Sequence, residues 1–191
     1  MSGRRARLRE SGQAMIETVI VFVVIVLLLS GVAAVAGLSN DQNTATTAVR
    51  AGGRFAAELG NGSKFNLGGS TDPWPVDSEV VGEVCRVMNT MPDLVSIQQV
   101  IVYEPQTNAN GSYSSSDPHD IYQFTSVPTC QVQQSPPPVK QYTLNLRNQR
   151  HPNESQVGIY VQYAYKSPTP FFQLNLNASV YTVVTLAPTF S

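Results

Sequence analysis

Apolar residues run almost unbroken from Thr18 to Leu38, thin into a helical stripe, and alternate with polar residues in the last third of the chain. The 21 positions of the first run, at ~1.5 Å of rise each, come to roughly 30 Å of helix, the thickness of a bilayer core. The β-branched residues from Val19 to Val26 disfavour helix intrinsically. In lipid the backbone must satisfy its own hydrogen bonds, so a helix is expected all the same.

After the polar "SNDQN", the residues Ala45, Ala48, Val49, Gly52, Phe55, Ala56 and Leu59 recur at spacings of three and four, the period of an amphipathic helix. Arg50, Arg54 and Glu58 fall on the other side, four residues apart, as solvated helix charges do. The stripe is expected to pack on the protein's own sheet; the alternative is an intermolecular coil. Gly60 ends this helix, and "GNGSKFNLGGSTDPWPV" (60–76) reads as a linker or surface loop. A second helix is expected from Asp77 or Ser78, as cap, through Val80, Val81, Val84, Val87 and Met88 to a stop before Pro92.

Strand patterns come next at "SIQQVIVYE" (96–104) and, more weakly, "DIYQFTSV" (120–127), whereas "SPPPV" (135–139) suits neither a helix nor a central strand. In "QVGIYVQYAYK" the residues Val157, Ile159, Val161, Tyr163 and Tyr165 share one face. "SPTP" makes a turn, and "FFQLNLNASVYTVVTL" (171–186) returns, with a bend expected near Asn177, so the chain closes on an antiparallel hairpin. Residues 105–119 ("PQTNANGSYSSSDPH") are polar and low in complexity and predict an exposed, partly disordered loop.

The fold class is therefore α+β: a long N-terminal transmembrane α-helix followed by a small domain with an antiparallel β-sheet. The expected divisions are a basic leader (1–12), a transmembrane helix (13–38), an amphipathic extension (39–60) and an extracytoplasmic domain (61–191). The helix starts at about Ala14, either runs on or bends near Ser39, and ends near Leu59; if continuous, it would be roughly 69 Å long.

Charge changes the picture at the N-terminus. Arg4, Arg5, Arg7 and Arg9 precede the apolar run, whereas beyond Gly12 there are 8 basic and 12 acidic residues. A basic flank before an apolar run keeps the N-terminus in the cytoplasm and sends the downstream chain across the membrane. Only 13% of residues are charged, with a formal net charge of −1, so no basic face for nucleic acid is indicated.

The two cysteines, Cys85 and Cys130, would then lie in an oxidising compartment. One disulfide is the simplest reading, contributing about 2 to 4 kcal/mol through the loop it closes; two free buried thiols are the alternative. His119 beside Asp120 and His151 near Glu154 lack the spacing of a zinc site or the context of a catalytic triad. Hence no metal, cofactor or catalytic residue is expected, and the chain reads as a protein other than an enzyme. Sequons at Asn61, Asn110, Asn153 and Asn177 would matter only in a glycosylating host.

Glu17 stands at the threshold of the apolar run. As part of a plain signal-anchor it is a liability of roughly 2.5 to 3.5 kcal/mol if drawn deep into the bilayer. A cleaved secretory signal is a second reading, with Ala34-Val35-Ala36 as the small-residue site and Gly37 as the new N-terminus. The third uses every feature: basic residues, Gly12, Gln13, Ala14, Met15, Ile16, Glu17 and about twenty apolar residues. This order resembles a type IV prepilin processing site, which implies cleavage after Gly12 on the cytoplasmic side and glutamate as the fifth residue of the mature chain.

More narrowly, "GQAMIETVIVFVVIVLLLSGV" resembles the N-terminal segment of the TadE family, pilin-like proteins of the tight-adherence (Tad/Flp) pilus system. Gly12, Ile16 and Glu17 match the family pattern; Thr18 replaces an aromatic residue, and Val23 stands where proline is frequent. A weaker similarity continues through "NTATTAVRAGGRFAA" and the terminal β pattern. The resemblance implies a minor pilin or pseudopilin in the cytoplasmic membrane. Its expected partners are prepilin peptidase, other pilin subunits, inner-membrane assembly proteins and membrane lipid, with no nucleic acid. Its expected roles are pilus assembly and surface adhesion or secretion.

Cleavage would leave an α-amino group on Gln13, a cation able to compensate a carboxylate in an apolar environment. An amine of one subunit facing Glu17 of a neighbour would set axial register. The competing expectation is a membrane-anchored or secreted extracytoplasmic binding domain unrelated to pili.

Overall fold

The structure, a computed structural model, describes residues 3–60, 62, 72–91, 95–124, 142–148, 154–166 and 175–187. Helix α1 is one uninterrupted run, Gly3–Leu59, of 57 residues, about 85 Å long at the rise of an α-helix. It begins well before Ala14 and passes Ser39 without a break. The composition of residues 3–12 explains the early start: Arg, Ala, Leu and Glu are strong helix formers, and Gly12 lowers propensity by only ~1 kcal/mol. In the polar stretch, the hydroxyls of Thr44, Thr46 and Thr47 donate back to the carbonyls of Asn40, Gln42 and Asn43, so polar side chains are satisfied on the helix itself. Gly60 ends α1 as expected: its φ of 56° is left-handed and its N–H reaches the Ala56 carbonyl at 2.9 Å.

Helix α2 is Trp74–Met88, three residues ahead of the expected start. Pro75 occupies its first turn, where a missing N–H costs nothing, and the Asp72 carboxylate accepts the Trp74 N–H at 3.2 Å. Neither Asp77 nor Ser78 is the cap. Asp77 lies one turn inside α2 and is fully buried, its charge answered by a distant arginine.

Four strands complete the domain: β1 (Val95–Tyr103), β2 (His119–Gln123), β3 (Gln156–Lys166) and β4 (Asn175–Thr185). They form one sheet in the order β2-β1-β3-β4 with every neighbouring pair antiparallel. β1 carries a register shift between Ile97 and Gln99. The terminal hairpin is present as expected, but without the bend near Asn177: its register is unbroken from Gln156↔Thr185 to Lys166↔Asn175, and Asn177 pairs with Ala164. No Gly or Pro interrupts Asn175–Thr185, and the Asn177 side chain is held across the sheet by Gln98. The expected continuation of β2 over 125–127, "SPPPV" at 135–139 and the "SPTP" turn with 171–174 lie outside the described residues.

The helices cover one face of the sheet. Ala45, Ala48, Val49 and Ala56 of α1 meet Val80, Val81 and Val84 of α2 and Val157, Ile159 and Val161 of β3, so the stripe packs on the protein's own sheet. Phe55 departs from that expectation and is 39% exposed. Its place is taken by Gly53, where a Cβ would lie 3.1 Å from Thr182 and 3.0 Å from Val184, because β4 passes on that side of α1.

The opposite face is covered in part by the loop after β1, expected to be exposed and partly disordered. Instead the Asp117 carboxylate accepts the backbone N–H groups of Thr107 (2.9 Å) and Ser114 (3.1 Å) and the Thr107 hydroxyl. Tyr103 donates to the Gly111 carbonyl at 2.6 Å, and Tyr113 packs between Tyr103 and Tyr160 with ring centroids 5.3 Å away from each. A polar composition here encodes a loop folded around one carboxylate.

Candidate functional site

Among the described residues, α1 is the one helix long and apolar enough to cross a membrane. From Met15 to Val35 its large side chains face outward: Phe22 is 65%, Leu28 66% and Val32 68% exposed. A contiguous apolar surface of this extent needs lipid or protein around it. No charged residue stands between Glu17 and Asp41, a separation of roughly 36 Å along the helix. Gln13 and Glu17 are both exposed on α1. The Gly12–Gln13 bond lies inside the helical run, so hydrolysis there requires local opening, which glycine at that position makes easier.

At the other end of the apolar run, one side of α1 turns inward. Ala34 is 7% exposed and Asp41 2%. Gly37 faces the end of β3 closely enough that a Cβ there would lie 3.3 Å from the Tyr165 hydroxyl, which is buried with no hydrogen-bond partner among the described residues. Burial raises the Asp41 carboxyl above its ordinary range, because desolvation disfavours the charged form.

Inside the domain, the long-range polar contacts centre on Arg147. Its guanidinium forks onto Asp77 of α2 at 2.6 and 3.0 Å, donates to the Tyr142 carbonyl at 3.1 Å, lies 3.6 Å from Asp120 of β2 and covers the Tyr142 ring at 4.5 Å. Tyr122 of β2 adds a 2.7 Å hydrogen bond to Asp77. All five residues are buried. Burial alone would lower the Arg147 pKa, but the Asp77 charge and hydrogen bonds outweigh it and the net shift is upward. Burial and the neighbouring Asp77 together push the Tyr122 hydroxyl up. The cluster joins α2, β2 and the 3-10 turn Leu144–Leu146, and its members are committed to one another.

The residues singled out in the sequence are therefore dispersed. Gly12, Gln13 and Glu17 share α1, more than 50 Å along the helix axis from its far end by an estimate of about 1.5 Å per residue. Cys85 is buried on α2, and Cys130 lies outside the described residues. His119 opens β2, not a loop; its Nδ1 is 2.6 Å from the Asp117 carbonyl and its ring meets Tyr113 edge-on. His151 lies outside the described residues, as do Asn61 and Asn153. The Asn110 side chain bonds Ser112 in its own turn. Asp41, Arg147, Tyr122 and Tyr142 carried no local signal, since Arg147 finds its partner 70 residues away.

Residues 12–54 match the family model described as TadE-like protein. The match covers α1 from Gly12 through the Ala/Arg-rich segment to Arg54 and stops before the strands. Neither a curated protein nor a solved structure matches the chain.

Proposed function

We propose, from the premise that this is a TadE-like chain of the Tad pilus system, that it is a minor pilin or pseudopilin cut by prepilin peptidase after Gly12. It is a structural subunit and peptidase substrate, not an enzyme, held in the cytoplasmic membrane with its domain outside. There it joins other pilin subunits and inner-membrane assembly proteins to support pilus assembly and adhesion or secretion.

The observation that carries the reading is one helix with two kinds of surface. Its first half, exposed and apolar behind Glu17, is suited to lipid and to neighbouring helices; its second half is built into a folded domain. Glu17 is the residue for register, paired with the Gln13 amine of a neighbouring subunit. In the oxidising compartment Cys85 pairs with Cys130, so thiol labelling of the denatured protein should require reductant.

The test is a pair of variants in the native host. Gly12→Ala should leave the precursor uncut. Glu17→Ala should be cut but recovered poorly in sheared pili, and normal incorporation of that variant would refute the register role.

A further inference from the structure

We propose that the end of the β3–β4 ladder where Lys166 pairs with Asn175 is a second membrane contact, resting in the headgroup layer beside the point where α1 leaves the bilayer. The inference rests on the reading of α1 as membrane-spanning.

Position along α1 fixes the level. A bilayer core of roughly 30 Å takes about 20 residues of helix. If Glu17 stays at or outside the inner edge and Asp41 at or outside the outer edge, the outer edge falls between residues 37 and 41. Tilting the helix shortens its projection and moves this edge further toward Asp41.

The sheet reaches that level. Gly52 of α1 faces Ile159, while Gly37 faces Tyr165, six residues further along β3. β3 thus descends along α1 toward the apolar run. The fifteen positions of helix amount to about 22 Å and the six of strand to about 20 Å, so helix and strand stay in step. Tyr165 and its partner Leu176, followed by the pair Lys166 and Asn175, lie at the descending end.

The side chains suit a lipid interface. Tyr165 is itself buried against α1 at Gly37 and holds this strand end at that level, so the contact falls to its exposed neighbours. Leu176 is 37% exposed beside it, and Lys166 is exposed with a stem long enough to leave its ammonium among phosphates. The far end of the hairpin, Gln156 and Thr185, stands about 30 Å away by strand rise and out of reach of the membrane.

The test uses full-length protein in vesicles of phosphatidylcholine and phosphatidylglycerol, with Trp74→Phe removing the native tryptophan. Single tryptophans are placed by Ile25→Trp, Leu176→Trp, Asn175→Trp and Thr185→Trp, and emission is read with lipids brominated just below the glycerol. Ile25→Trp reports the spanning helix through quenching by lipids brominated deeper in the chain. The proposal expects loss of emission from Leu176→Trp or, where that variant does not fold, from Asn175→Trp, with Thr185→Trp unaffected. Quenched Ile25→Trp with unquenched hairpin-end tryptophans would overturn this contact and leave the spanning helix standing. An unquenched Ile25→Trp would overturn the membrane reading itself. Quenching at Thr185 as strongly as at Leu176 would overturn the end-on contact.

Discussion

The two halves of α1 share a backbone and differ in everything around it. From Met15 to Val35 the helix presents Phe22, Leu28 and Val32 outward, and Gly31 has nothing among the described residues within 4 Å of where a Cβ would stand. From Asp41 to Leu59 the same helix buries Ala45, Ala48 and Val49 completely, and at Gly52 a Cβ would lie 2.5 Å from Val84. The first half is apolar all round and so requires an apolar surrounding; the second is apolar on one side and so requires only a partner. One rod is thereby divided between two environments by composition, without a break in the helix.

The largest expected effect breaks the support of the outer half. α2 lies against α1 and is tied by Asp77 to Tyr122 of β2 and to Arg147, so Asp77→Ala removes the forked partner of a buried guanidinium, leaves it Asp120 at 3.6 Å, and should destabilise the domain by about 3 kcal/mol. Thermal unfolding of the full-length protein in detergent, followed by the emission of Trp74 beside Tyr122, should show a lower Tm. The Glu83–Arg86 pair supplies the contrast: the Arg86 side chain is 69% exposed, and Arg86→Ala should leave the Tm unchanged, since exposed ion pairs contribute little.

The next effect compares the halves directly through one methyl group. Gly52→Ala must push Val84 aside in a packed core and should cost about 1 to 3 kcal/mol. Gly31→Ala adds the same group to open space and should leave domain unfolding where it was. Equal losses at the two positions would mean that the apolar half also packs on the domain.

The smallest effect is in pH dependence, with opposite signs at two carboxylates. Burial raises Asp41, so its contribution is present below the ordinary carboxylate pKa of 3.8 and is lost as pH rises through the raised value. Asp41→Asn should therefore raise the Tm at neutral pH. At Asp117 burial acts upward, but the hydrogen bonds from Thr107, Ser114 and Gln106 win and the pKa is lowered. Its contribution is present above 3.8 and is lost as pH falls through the lowered value. Asp117→Asn should lower the Tm at neutral pH and flatten the loss in acid.

These contrasts track what could be read in the sequence. Periodic features were legible: the apolar run, the stripe at Ala45 to Ala56, and the alternation from Val157 to Tyr165 that forms the strand face on the helices. Local signals misled where a tertiary partner decided the outcome. Asp77 has the type and place of a helix cap, yet its partner Arg147 lies 70 residues on. Phe55 fits the stripe by spacing, but β4 passes on the side of Gly53. The polar run at 105–119 offers one aromatic ring, Tyr113, to the sheet, and Asp117 orders the rest through hydrogen bonds. Gly12, Glu17 and the apolar run are contiguous, so they could be singled out without knowledge of the fold, and the apolar helix and the family match over 12–54 are what is found there.

The central claim is that the apolar half of α1 stays on the mature protein and begins at a new N-terminus. Mass spectrometry of the protein recovered from membranes of the native host measures this directly. The account predicts a chain beginning at Gln13; one beginning at Met1, Ser2 or Gly37, in a host with active prepilin peptidase, would contradict it.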